Sequence, residues 1–523
     1  MRSKPLALVS LLLASFAINL DTTIVNVALP SLVRELHATT TQLQWVVDAY
    51  NLVFAALLLS AGSLSDRLGR RGMLVGGLVV FGLASLVGGF TTTPSELIAA
   101  RAVMGLGAAM IFPATLSIIA NIFTERRERA MAIGLWGASA GVAIALGPIV
   151  GGYLLEAFSW ASIFIVMAPV AAVSALAVIA TVPTSKDPTA PRVDRTGFVL
   201  SSVGMALLVF TIIEAPEYGW STARSVAGFV GAVVVLASFV VWERRIPTPM
   251  LDVRLFRNMR FTAASGSVTV AFFSLFGFIF LMTQYFQFIR GYSALSTGVH
   301  LLPVATSVAV GSVLGTKLAV RLGTKLVVSI GLLAVAGFYG WVAAIVAPST
   351  GYGVIAAQMV LYGWGMGFTS APATESIMGA VSEQKAGVGS AVNDATRLLG
   401  GTLGVAVIGS VYASLYASRL SDRLPAALPA SLGKVAHQSV GAAFTVSSKL
   451  SAAGQSSLGA SVHQAGSQAF IHGLAVGCLV AGGVALAGAL IAAIFLPAQP
   501  PNAESADIDL ASSEPTAPVL AGQ

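Results

Sequence analysis

Three ionisable side chains, Asp21, Asp48 and Arg101, stand inside long apolar runs. The stretch NLDTTIVNVALP, Asn19 to Pro30, puts Asp21 about fifteen residues into a segment that begins near Pro5. At about 1.5 Å per helical residue that is roughly 22 Å along a helix, past the midpoint of a hydrocarbon core about 30 Å thick. Asp48 and Arg101 belong to the second and fourth runs, roughly 7 Å from their centres, so all three groups fall in one layer. An ionised acid at that depth costs several kcal/mol unless it is paired or wetted. A guanidinium there needs an acceptor, and Asp21 or Asp48 is the one at hand. A carboxylate for which a proton and an arginine compete is a workable coupling element, because its hydration changes as the protein opens to either side. The plainer alternative is a permanent ion pair that staples helices together.

The elements that must position these groups follow from composition. With 523 residues, 56% of them hydrophobic, 10% charged, and a mean hydropathy of +0.85, the chain reads as an all-α integral membrane protein. Its apolar runs are continuous and about twenty residues long, unlike the alternating ten-residue strands of a barrel. A single cysteine, Cys478, excludes an internal disulfide. We count fourteen spans, from 6–29 to 467–496. Twenty of the 29 lysines and arginines fall at the amino end or in the even-to-odd connections, seven fall on the opposite face, and Arg101 and Arg397 lie within spans. The excess of positive charge places both termini in the cytoplasm. Short basic loops of this kind are orientation signals rather than a nucleic-acid surface.

An internal repeat divides the chain. GSLSDRLGRR at Gly62 to Arg71, between spans 2 and 3, has an echo in TKLAVRLGTK at Thr316 to Lys325, between spans 10 and 11. The expected organisation is a six-helix half at 1–182, an inserted hairpin of helices 7 and 8 at 183–260, and a second six-helix half at 261–496. The second half carries a long outside loop at about 416–466, and a disordered cytoplasmic tail follows at 497–523. Two such halves around a midplane site describe a secondary transporter.

The motifs NLDTTIVNVALP, WVVDAY (Trp45 to Tyr50), GSLSDRLGRR, Arg101 with Gly105 and Gly107, and GPIVGG (Gly147 to Gly152) carry a family resemblance. Together they resemble the major facilitator superfamily, and within it the fourteen-helix drug:proton antiporters, the EmrB/QacA-like multidrug efflux pumps. The resemblance implies proton coupling through Asp21, Asp48 and Arg101. It also implies a cytoplasmic gate loop at Gly62, Asp66, Arg67, Gly69 and Arg70, in which Asp66 and Arg70 stabilise the outward-open state, where the plainer alternative is a positive-inside anchor with no switching role. The element Gly147, Pro148, Gly151 and Gly152 is associated in that superfamily with antiporters, which favours export over uptake. Tight helix packing is the simpler account of the same glycines.

Asp394 and Arg397 lie i, i+3 on one face of span 13 and either pair with each other or serve as a second-half charge site for cations or protons. Aromatic residues of span 9, Phe272, Phe273, Phe276, Phe280, Tyr285 and Phe286, with Trp136, Tyr362 and Trp364, are candidates to line an apolar pocket. The five histidines show no metal-ligand spacing, and no nucleotide-binding loop or nucleophile triad occurs, so neither a metal, a catalytic site, an enzyme nor a cofactor is expected. A proton gradient is the expected energy source, and the expected partners are small amphiphilic substrates, protons and membrane lipids, with a monomeric chain and no nucleic acid. The acids of the core layer exceed its arginines by one, which leans toward lipophilic cations or neutral amphiphiles. A dedicated exporter of one native metabolite, siderophore or lipid is the alternative, and a nutrient symporter a weaker one.

Overall fold

The computed structural model describes residues 4–185, 194–247, 249, 251, 253–380 and 386–497. Among them no strand occurs. The helices are α1 (Lys4–Glu35), α2 (Thr40–Leu68), α3 (Arg70–Gly88), α4 (Pro94–Ile122), α5 (Arg126–Ala157), the short α6 (Ser162–Ile165), and α7 (Met167–Thr181). There follow α8 (Arg195–Tyr218), α9 (Ala223–Arg245), α10 (Met259–Gln284), α11 (Ala294–His300), α12 (Leu302–Leu322), α13 (Thr324–Ile345) and α14 (Tyr352–Met378). The last are α15 (Ala386–Ser421), α16 (Ala430–Gln438), α17 (Val440–Ala452) and α18 (Ser456–Phe495).

Twelve helical stretches among the described residues are long and apolar enough to cross a membrane. α2 and α14, 29 and 27 residues long, stand outside that set and contain polar side chains, among them Gln44, Asp48 and Asn51 in α2 and Gln358, Thr374 and Glu375 in α14. Polar groups inside the helices are largely absorbed locally. The side chains of Asn19 and Asn26 in α1 donate to the Ser15 and Thr22 carbonyls one turn back, which pairs their amide nitrogens without a partner helix. Helix starts are capped as the sequence allows. Thr39 and Thr93 each form a reciprocal box with the residue three further on, Gln42 and Glu96, and Pro94 opens α4.

Packing partners recur along the chain. α1 packs on α5 and α7, α2 and α3 on α4, and α3 on α7; correspondingly α10 packs on α15 and α18, α12 and α13 on α14, and α13 on α18. The two echoing loops also share geometry: Gly69 joins α2 to α3 at φ 119° and Gly323 joins α12 to α13 at φ 89°. Only glycine takes such angles readily, so each helix pair can turn on a single residue. α8 and α9 form a hairpin, with α8 lodged against both α2 and α15.

We call the end of the bundle at Lys4 proximal and the end at Glu35 distal. The described side-chain hydrogen bonds that join α1–α7 to α10–α18 all lie in the distal half. Gln44 donates to Val405 and Ala406, Gln287 to Val27, Thr40 to Gln438, and the Leu295 amide to Glu156. The segment at 416–466 is not an irregular loop. α15 runs on to Ser421, α16 and α17 follow, and α18 begins at Ser456. Its alanine-rich composition favours helix, the Ser439 hydroxyl caps α17 by accepting from Ala442, and the Tyr416 hydroxyl donates to the Ala436 carbonyl. The tail from 498 onward lies outside the described residues.

Candidate functional site: a buried charge pair between three helices

α4 approaches α2 closely because residue 105 is glycine. A β-carbon there would sit 2.5 Å from the Tyr50 carbonyl oxygen. Gly107 does the same toward α3, where a β-carbon would meet the Gly77 carbonyl and the Phe81 backbone. That proximity lets Arg101, one turn before Gly105, reach across α2 to α1. Its Nη1 donates to Asp21 Oδ2 at 2.6 Å and its Nε to the Val46 carbonyl at 3.0 Å. The guanidinium carbon lies 4.3 Å from the centre of the Tyr50 ring. Asp21 and Arg101 are each 1% exposed. The pair is short, charge-assisted and held on a cation–π platform. Asp21 Oδ1 has no hydrogen-bond partner, so one face of the carboxylate remains able to take a proton.

Asp48 does not join this pair. At 100° per residue it lies about 160° around α2 from Tyr50, on the side that carries Gln44 and Leu52. Gln44 faces α15, and Leu52 packs with Val209, Ile212, Ile213 and Ala406. Asp48 is fully buried and neither carboxylate oxygen meets a hydrogen-bond donor. Depth along the helix, readable from sequence, placed it level with Arg101; its direction around the helix turned it away.

In the loop between α2 and α3, the Arg70 amide donates to the Ser185 carbonyl and Arg71 Nη2 to the Ile179 carbonyl. The loop is thereby tied to the end of α7. Arg67 is exposed and lines a cavity with Arg195 and Phe198 of α8. Gly62 stands at ordinary contact distance from Pro113, and the Asp66 side chain lies outside the described set.

The glycines of α5 face two ways. β-carbons on Gly147 and Gly151 would strike Thr23 and Ile24 of α1, two and three residues from Asp21, and one on Gly152 would strike Leu295 of α11. The Thr23 hydroxyl donates to the Ile144 carbonyl in the turn before Pro148. On the facing helix, a β-carbon on Gly298 would strike the Pro148 carbonyl. The element thus joins the Asp21 helix to the distal contact between α5 and α11.

Asp394 and Arg397 do not pair, as self-neutralisation would require. Arg397 Nη2 donates to Thr374 of α14 at 3.2 Å, and its guanidinium lies 5.2 Å from the Phe272 ring centre. Asp394 accepts a 3.5 Å bond from Asn393. The Arg397 side chain has a hydroxyl and a ring within reach on neighbouring helices, and it takes those in preference to its i−3 neighbour.

An apolar cavity of about 170 Å³ lies between α5, α10, α12 and α14, lined by Gly141, Phe272, Leu275, Phe278, Ile279 and Met366 among others. Of the aromatic candidates only Phe272 borders it. Phe280, Tyr285, Phe286 and Tyr362 are packed away in the core, and Tyr362 stacks on Phe278. Leu275, Phe278, Ile279 and Met366 carry no mark in the sequence that separates them from other apolar residues. No metal-binding cluster occurs among the described residues.

Many apolar helices enclosing a buried charge pair and an internal cavity define a polytopic membrane transporter. The sequence profile of the Major Facilitator Superfamily matches residues 11–405, and the chain belongs to that family. It is 35% identical over 410 residues to the multidrug resistance protein Stp of Mycobacterium tuberculosis, covering 78% of this chain and 76% of that one. It is 36% identical over 406 residues to the multidrug efflux pump LfrA of Mycolicibacterium smegmatis, covering 78% and 80%. It is 34% identical over 392 residues to a methylenomycin A resistance protein of Streptomyces coelicolor, covering 75% and 82%. Its fold matches that of an inward-facing bacterial homologue of the human lysosomal transporter Spinster, with a TM-score of 0.66 at 16% identity over 94% of this chain and 98% of that one.

Proposed function

We propose that the chain is a proton-coupled antiporter that exports lipophilic, cationic or neutral drugs and antibiotics by alternating access. The observation that carries this reading is the Asp21–Arg101 pair, 2.6 Å long and 1% exposed on both sides. A buried carboxylate held by a guanidinium is a group whose proton and ion pair exclude one another, and exposing it to either side of a membrane changes which prevails. The relatives named for multidrug resistance and efflux support the substrate class.

In this reading fourteen helices cross a bacterial inner membrane with both termini in the cytoplasm, as the distribution of basic residues favours. The recurring packing partners support two six-helix halves with α8 and α9 inserted between them. With the proximal end cytoplasmic, the distal contacts between halves close the outer side, so the conformation is inward-facing. The chain acts as a monomer in lipid, is a transporter and not an enzyme, and needs no cofactor beyond the proton gradient.

The test is a drug-susceptibility panel in an efflux-deficient host comparing wild type with Asp21→Asn, matched for expression. Resistance in the wild type that falls to the empty-vector level in Asp21→Asn is expected; full resistance in Asp21→Asn sinks the assignment. A second reading, a dedicated exporter of one native antibiotic, draws on relatives named for methylenomycin A and for tetracenomycin C resistance and export. A resistance profile confined to one chemical class selects it.

A further inference from the structure

The inserted hairpin brings a carboxylate to the distal side of Asp48. Glu214 of α8 accepts a hydrogen bond from Trp45 Nε1 at 3.0 Å, and the Trp45 ring lies 6.0 Å from that of Phe210, one turn away on α8. Trp45 and Glu214 both line a distal cavity of about 570 Å³, bordered also by Glu217, Tyr416, Lys434 and His437. Asp48 is one turn further in on α2, about 4.5 Å along the axis. Around it runs a seam of buried acceptors without donors: both Asp48 oxygens, Gln44 Oε1, Asn51 Oδ1 and, on α15, Thr402 Oγ1. Buried polar atoms are rarely left so in a native protein. Gathered on one face of α2 and the helix packed against it, they are polar groups that a bridging water would satisfy.

We propose that Glu214 delivers protons to Asp48 from the distal side, with the Trp45 indole as its latch; the proposal rests on the proton-coupled reading above. A proton from water in the distal cavity adds to the Glu214 carboxylate. When the indole releases it, the acid passes the proton through a bridging water to the Asp48 carboxylate and returns to its anionic form. The groups that face Glu214 are Glu217 on its own helix, Tyr416 on α15, and Lys434 and His437 on α16, while α2 presents the uncharged Trp45. Arg101 is committed to Asp21 and meets α2 on the opposite face from Asp48, at Val46 and Tyr50. The route is therefore separate from the Asp21 pair, and it gives the inserted hairpin a function, since α8 packs against both α2 and α15.

The experiment uses the full chain in proteoliposomes with ethidium as probe, comparing movement driven by a pH gradient with ethidium exchange at equal pH. Glu214→Gln should lower driven movement at least tenfold and leave exchange within twofold, and Glu214→Asp should recover at least a third of the driven rate. Trp45→Phe, which keeps the ring and loses the donor, should speed decay of the gradient without ethidium at least threefold. Driven movement unchanged in Glu214→Gln, or driven movement and exchange lost in equal measure, overturns the proposal. No faster decay in Trp45→Phe overturns the latch. A wild type whose ethidium movement ignores the gradient overturns instead the proton-coupled reading on which the proposal stands.

Discussion

Gly298 of α11 and Pro148 of α5 touch so closely that no β-carbon fits between them. The contact sits in the distal seal between α5 and α11, and its partner is backbone, which cannot swing aside. Gly298→Val should therefore open the seal. Overpacking of this kind costs about 1–3 kcal/mol, roughly a 5- to 150-fold shift in the balance between closed and open distal faces. Labelling by an impermeant maleimide added from the distal side, read at Ser370→Cys, a position that lines the apolar cavity, in a Cys478→Ala background, should rise accordingly. Unchanged labelling contradicts the seal.

Removing one partner of a buried ion pair leaves the other stranded, at a cost of about 3–5 kcal/mol. Arg101→Gln alone should sharply lower the melting temperature of the purified protein. Combined with Asp21→Asn it should regain most of that loss while transport stays absent. A double variant no more stable than Arg101→Gln would show that the two residues do not act as a pair.

Asp48 meets no donor, so its burial works against the fold. Asp48→Asn, nearly identical in shape, should raise the melting temperature by a few degrees and abolish proton-driven transport. A clear drop in stability would mean that the carboxylate is engaged by a partner it lacks in this conformation.

Gly141 borders the apolar cavity, and a β-carbon there would meet nothing within 4 Å. Gly141→Trp should fill that space without strain. Resistance to bulky hydrophobic drugs is expected to fall about tenfold with folded yield unchanged, while Gly137→Trp, also with free space at its β-carbon, has little effect. Equal losses in the two variants would argue against the cavity as a drug site.

The gate loop shows how far a motif can be read. Gly69 at φ 119° explains why glycine recurs at that point of the repeat, where Gly323 takes a similar angle. The basic residues beside it are legible only as charges near a membrane surface. That the Arg70 amide meets Ser185, and that Arg71 reaches the Ile179 carbonyl, depends on where α7 ends.

The sequence by itself determined the class of the protein, the run of helices and the depth of each charge, because apolar length and a rise of about 1.5 Å per residue are properties of one helix at a time. It also marked Asp21 as the charge to explain. Only the tertiary structure decided that Arg101 holds Asp21 and leaves Asp48 alone, that Arg397 turns to Thr374 and Phe272, and that α8 carries Glu214 to Trp45. Those outcomes depend on direction around a helix and on which neighbour packs there. Helices apolar on every side, such as α4 and α5, carry no stripe of polarity from which that direction could be read.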